Sequence, residues 1–490
     1  MCLCCASNLY LVGVMKRLFI FIICVVAAQR AVAQSTETGM LSFDEALAIT
    51  LENNMAVQAA EASVRAAEQE RRAAIGLRAP TVAINGAYNW LGDDMAIDFN
   101  GIKDVVSKGA EVIIPTLEPG LGQALQGLAA PIFARNWEFV LQKRNLASIG
   151  GTISVPIFTG GRINVANRAA QIGKKMADRE LQYVRRGLTT QLVERYFGVT
   201  LARYAVQVRH QVLEGIVKHL ADAIVLENNG MIAASERLYV EYKVAEAERE
   251  LQKAQLEERT AQDALKNTLG GFSADPVTTI FVIDNPEDVS FFIRQALENN
   301  TLLQQAQLQE GLARENVRLQ RADFFPQVAA MGTASFYNWQ VSNILPRWAV
   351  GIGATFKIFN GLTREYKYSA ARHTLRGAES MVAKAESDIV LLVENLHSDM
   401  INQLSLLQSI DVSIAFAQEY LRSKNVAFAE GICSSTELID AELNLAKVRI
   451  ERLETAYRFD MALARLLEAS GASEEFANYI NRTDARAIIF

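Results

Sequence analysis

The sequence predicts a mostly helical chain with a membrane β part, built twice from one strand-and-helix unit. Three observations carry this. Phe158 with Phe359, Gly160 with Gly361, Gly230 with Gly431 and Gly270 with Gly471 all stand 201 residues apart, so two copies of one unit fill the chain. Long helical patterns cover 162–228 and 362–429. Period-two stretches of roughly ten residues precede them, at 81–91 and 146–156 in the first copy and at 327–339 and 347–357 in the second.

The charges are mixed, with 49 Lys and Arg against 55 Asp and Glu. A phosphate-binding surface would be more basic, so no nucleic-acid partner is expected. No apolar run of about 18 residues follows the N-terminus, which excludes a transmembrane helix. Any membrane contact must then be made by strands.

Residues 1–33 read as a signal peptide region. Met15-Lys16-Arg17 is a basic start, Leu18 to Ala28 is apolar, and Ala31-Val32-Ala33 supplies small residues for cleavage. The chain is therefore expected to be exported. Cys24 follows Phe21-Ile22-Ile23, which lacks the small residue a lipoprotein site needs, so no lipid anchor is expected. Cys433 alone remains after cleavage, which leaves no intrachain disulfide.

The first repeat spans 34–271. Ser42 and Glu45 form a capping box that starts a helix over 43–53. A second helix over 55–77 stops before Pro80. In the strand that follows, Val82, Ile84, Tyr88 and Trp90 share one face, and Thr81, Asn85 and Asn89 share the other. Apolar on one face, small and polar on the other, and ending in aromatics is the pattern of membrane barrel strands. A soluble sandwich edge is the alternative. Four strands per chain cannot close a barrel, whereas three chains would supply twelve. Residues 92–143 are an insertion with no counterpart in the second copy. They read as an extracellular loop, either structureless or a lid or receptor-binding loop, with a short helix at 121–128.

The helix over 162–228 carries a coiled-coil-like seam through Leu188, Leu192, Tyr196 and Val199. Its return helix, 235–269, is about half as long. The deficit matches the helix over 55–77, so the two are expected to stack into one column. Residues 272–287 link the copies. The second repeat, 288–471, reuses the plan with a long helix over 362–429 and a return helix over 434–469. Residues 472–490 form a tail that joins the linker in a girdle around mid-length.

Enzyme chemistry finds no support. His210, His219, His373 and His397 lie in helical stretches without metal spacing, and no nucleophile or metal motif is present, so neither cofactor nor metal is expected. Gly160-Gly161 lacks the ending of a phosphate loop. Together with Gly361 it serves better as a strand-to-helix joint, where glycine tolerates the bend and Thr159 or Asn360 stands near the cap.

The doubled set of Ile-Phe-x-Gly joints and Gly-x-x-x-x-[ST]-Glu turns, Gly230 to Glu236 and Gly431 to Glu437, resembles the TolC-like family of outer-membrane efflux proteins over about 41–471. That resemblance implies a homotrimer with a twelve-stranded barrel in outer-membrane lipid and a helical tunnel through the periplasm. It also implies docking to a periplasmic adaptor and an inner-membrane pump of RND or ABC type. By position, Gly230, Met231, Gly431 and Ile432 match the adaptor-docking tips. Glu236, Glu437 and Asp440 match acidic residues of the entrance, and Phe428 matches an aromatic link. Plain hairpin turns and solvated helix faces are the alternatives at these positions. Cys433 stands where better-known members place a latching arginine, so the arginine-based account of gating does not carry over.

The reading is a passive exit duct of a tripartite efflux or type I secretion system, and not an enzyme. The alternative is a periplasmic coiled-coil scaffold or adaptor without a pore.

Overall fold

A computed structural model of the chain describes residues 39–341 and 346–488. The signal peptide region lies outside the described residues. In the first repeat, β1 (Gly39–Leu41) leads into α1 (Phe43–Asn53), then α2 (Met55–Gly76) and β2 (Thr81–Trp90). The insertion holds β3 (Met95–Asp98), α3 (Asn100–Ile113), a 3-10 turn at Ile114–Thr116, α4 (Pro119–Phe133) and β4 (Glu138–Gln142). After it come β5 (Asn145–Phe158), α5 (Arg162–Asn228) and α6 (Ala234–Thr268). The strands β6 (Ala274–Pro276) and β7 (Phe281–Ile283) lie between the repeats. The second repeat comprises α7 (Val289–Asn299), α8 (Thr301–Ala322), β8 (Gln327–Trp339), β9 (Trp348–Thr355), α9 (Thr363–Ala429) and α10 (Ser435–Ser470). A 3-10 turn, α11 (Phe476–Ile480) and β10 (Ala485–Ala487) close the chain. No helix among the described residues is long and apolar enough to cross a membrane.

The described residues divide into two compact units. One takes 67–174 and 310–377 and contains a four-stranded antiparallel sheet in the order β2-β5-β8-β9. Val82 pairs with Ile153, which pairs with Gly332, which pairs with Val350, so these positions share one face. The register shifts between Ile149 and Gly150, where Phe336 is the extra residue of β8. Beyond this bulge, Tyr337 pairs with Ile149 and Trp339 with Ala147, while Tyr88 meets the same Ala147 from β2. The bulge thereby adds Tyr337 and Trp339 to the face that holds Tyr88 and Trp90, and an aromatic row forms at one end of the strands. All four rings are exposed in the single chain. On the opposite face Asn85 donates to Thr152 Oγ1 at 3.3 Å.

The insertion departs from the expected loop with a short helix at 121–128. The strands β3 and β4 pair into a ribbon that carries the two helices α3 and α4. Pro119 stands in the first turn of α4, where its missing N–H costs nothing, and Ile102, Val106 and Ile113 recur at helical spacing in α3. Scattered glycines and prolines obscured that spacing.

At the joints, Gly160 and Gly361 adopt left-handed φ of 63° and 69°. A Cβ at Gly160 would stand 2.5 Å from the Ala322 carbonyl oxygen, which closes the position to other residues. Arg162 pairs with Asp323 at 3.0 Å, and Arg168 pairs with the buried Glu315 at 2.8 Å.

The other unit takes 39–66, 175–309 and 378–488 among the described residues. Its core gathers Phe43, Tyr196, Phe197, Phe281 and Phe476, with neighbouring ring centroids 5.2–6.3 Å apart. The linker and the tail build this core. The strand β6 pairs in parallel with β1, and β7 pairs antiparallel with β10. The Tyr196 hydroxyl donates to Leu41 O at 2.7 Å and accepts from the amides of Val277 and Thr278 at 3.1 and 3.0 Å. One side chain thus ties α5 to β1 and to the linker. Where the return helices end, Gly270 lies against Asn53 and Gly471 against Asn299, and Asn300 Nδ2 donates to Ala469 O at 2.7 Å. The end of each return helix therefore meets the end of a short helix, α1 in the first repeat and α7 in the second.

Candidate functional site

The ends of α5 and α9 share one termination. The amides of Gly230 and Met231 donate to the carbonyls of Glu227 and Leu226 at 2.8 and 2.9 Å. Those of Gly431 and Ile432 donate to Phe428 and Ala427 at 3.0 and 2.9 Å. Each is a Schellman motif closed by a left-handed glycine, with φ of 73° and 70°. The apolar residue after such a glycine commonly packs back on its helix. Here Met231 is 65% exposed and Ile432 is 81% exposed, so both turns hold an apolar side chain out in water.

The next helices start differently in the two repeats. Ser434 Oγ accepts from the Glu437 amide at 3.3 Å and caps α10, whereas Ala233 supplies no side-chain cap for α6. Glu437 is exposed and bound twice, accepting from Lys424 Nζ at 2.7 Å and from the Cys433 thiol at 3.1 Å. The Lys424 ammonium holds the Glu437 carboxyl below its usual range. Burial pushes the Cys433 thiol up to about 11, which keeps it a neutral donor. The ammonium of Lys424 therefore provides the positive link between α9 and α10 in this hairpin. Asp440 is exposed one turn further along α10.

Phe428 is 8% exposed and meets the His219 ring edge-on, with centroids 4.3 Å apart. His219 is 4% exposed, and neither ring nitrogen has a hydrogen-bond partner among the described residues. Burial lowers its pKa. Glu236 faces it from α6 and is half-buried, with Oε2 unpartnered among the described residues. A cleft of about 600 Å³ beside this pair is lined by Lys218, His219, Asp222, Asn425, Phe428 and Glu442. The Glu442 carboxylate lies where a Cβ at Gly215 would stand, and burial pushes its pKa up to about 7.

Phe428, Cys433 and Glu437 thus come together around the second turn, and Glu236 faces His219. Sequence reasoning missed Lys424, His219, Gly215 and Glu442. The glycine inside an otherwise regular helix was the available signal, because it weakens a helix unless packing requires it. Among the described residues, no three of His, Cys, Asp or Glu gather as metal ligands.

Two hairpins of long helices and an open antiparallel sheet accompany a match in sequence: residues 292–472 match the family model described as "Outer membrane efflux protein". TolC of Escherichia coli (strain K12) is 21% identical over 209 residues, which are 40% of this chain and 42% of TolC. The matched stretch is therefore less than half the length of that relative. Among solved structures, the outer membrane protein VceC of Vibrio cholerae aligns with a TM-score of 0.68 at 14% identity, covering 88% of this chain and 96% of VceC. The MtrE outer membrane channel of Neisseria gonorrhoeae, in its open state, aligns with a TM-score of 0.65 at 15% identity, covering 88% and 89%. The resemblance read from the doubled joints and turns thus has independent support in sequence and in fold.

Proposed function

We propose that this chain is one protomer of a homotrimeric outer-membrane channel, the passive exit duct of a tripartite efflux or type I secretion system. The observation that carries the proposal is the open sheet. Among the described residues β2 and β9 each pair on one side only, leaving a row of backbone donors and acceptors free, and one face is apolar and edged with aromatics. Unpaired backbone groups are costly in lipid, and closure into a barrel removes them. Three copies of the sheet, with β9 of one against β2 of the next, make twelve strands, an ordinary number for an outer-membrane barrel.

At the other candidate site, Met231 and Ile432 are offered to a periplasmic adaptor, and an inner-membrane pump of RND or ABC type supplies the energy. The similarity to TolC, VceC and MtrE supports this reading and the outer-membrane location. Fractionation tests it. The protein is expected in the outer membrane as a detergent-dependent, heat-modifiable trimer, whereas recovery as a soluble periplasmic protein would refute the channel and leave the coiled-coil scaffold.

A further inference from the structure

The insertion between β2 and β5 turns many of its large apolar side chains outward. The cleft of about 630 Å³ between α3 and α4 is lined by Ser107, Ala110 and Glu111 on α3, by Gln123, Gln126 and Phe133 on α4, and by Ile114 and Leu117 between the two helices. The stripes of large apolar side chains lie on other faces, roughly 130° around α4 and roughly 160° around α3 at 3.6 residues per turn. On α4, Leu121, Leu125, Leu128 and Ile132 are 56, 38, 67 and 55% exposed, and their spacing of four, three and four is that of a coiled-coil seam. On α3, Val105 and Val112, seven residues apart, are 72 and 71% exposed.

We infer that these two stripes pack against each other between copies of this chain, α3 of one protomer against α4 of the next, so that three insertions close a six-helix ring above the strands. This rests on the trimeric reading given above. Three observations select a second copy as the occupant. A narrow seam with heptad spacing fits a partner helix. Helices that lie in a membrane surface carry Lys and Arg on their polar face, whereas α4 contains none and the two lysines of α3 are matched by Asp104 and Glu111. The insertion also leaves the sheet directly from β2, an edge strand that the next protomer would cover. Two different stripes pointing in different directions suit a head-to-tail contact that closes on itself.

Cysteine pairs test the ring. In a Cys433→Ser background, Val105→Cys or Val112→Cys is combined with Leu121→Cys, Leu125→Cys or Leu128→Cys, and intact outer membranes are oxidised. Covalent dimers and trimers are expected from at least one combination and from no single variant. Only monomer across all combinations, or equal cross-linking by a single variant, would overturn the inference. So would quenching of a bimane label at Leu128 by brominated lipid, which would make lipid the occupant. Amine cross-linking in the same membranes separates the two levels. A trimer there without insertion cross-links refutes the ring alone, and no trimer refutes both readings.

Discussion

Single side chains hold the linker and the tips. Replacing Tyr196 by Phe removes one donor and one acceptor, and strands the amides of Val277 and Thr278 beside an apolar ring. Leaving such groups unpaired costs about 1–3 kcal/mol, so the thermal midpoint of the purified protein should fall while the secondary structure at low temperature stays unchanged. At the tips, the exposed Met231 and Ile432 make a second residue-level prediction. Changing both to Asp should abolish retention of the adaptor without affecting assembly in the membrane. Undiminished co-purification would reduce the turns to plain hairpin ends. Gly230 and Gly431 were legible as turns because a left-handed closure needs glycine. Cys433 was legible only as a departure, since the bonds that Lys424 makes in its neighbourhood depend on side chains that no spacing rule brings together.

At the scale of elements, the seam between the hairpins holds a half-buried carboxyl. Glu442 on α10 lies against Gly215 of α5, facing Lys218, His219 and Asp222, with Glu236 opposite His219 on α6. Its folded pKa, about 7, stands above the ordinary 4.5, so its contribution is fully present below about pH 4.5 and is lost as pH rises through about 7. His219 acts oppositely, because its lowered pKa disfavours the folded state only in acid. The difference in thermal midpoint between the natural protein and Glu442→Gln should therefore change between about pH 5 and pH 8. A constant difference would mean that Glu442 does not titrate in that range.

The helices themselves were readable because their apolar residues recur without proline, and the strands because period two is visible in Val82 to Trp90. The short strands β1, β6, β7 and β10 were not readable, for three residues carry no period and only their pairing defines them. The seam was hidden for a similar reason, since Gly215 and Glu442 are far apart in sequence and meet through packing alone. On α10, Glu437 and Asp440 lie three residues apart and both are exposed. Replacing both with Ala should lower the preference for cations in planar bilayers, and unchanged selectivity would assign them to a merely solvated face.

The whole-molecule account follows from what one copy leaves unfinished. Its sheet has two open edges and an aromatic-edged apolar face, its tips expose apolar residues, and its insertion turns large apolar residues outward. Each feature is costly in an isolated chain in water, and the proposed assembly would relieve it. The duplication made this architecture visible in the sequence, because joints and turns recur in fixed order at one offset. The order of the strands in the sheet was not visible, since period two marks a strand and not its neighbours. The most direct test is the conductance of the protein purified from outer membranes and placed in a planar bilayer. The account predicts discrete, cation-favouring steps from a trimeric species; a membrane-inserted trimer that conducts nothing, or a soluble protein that never inserts, would contradict it.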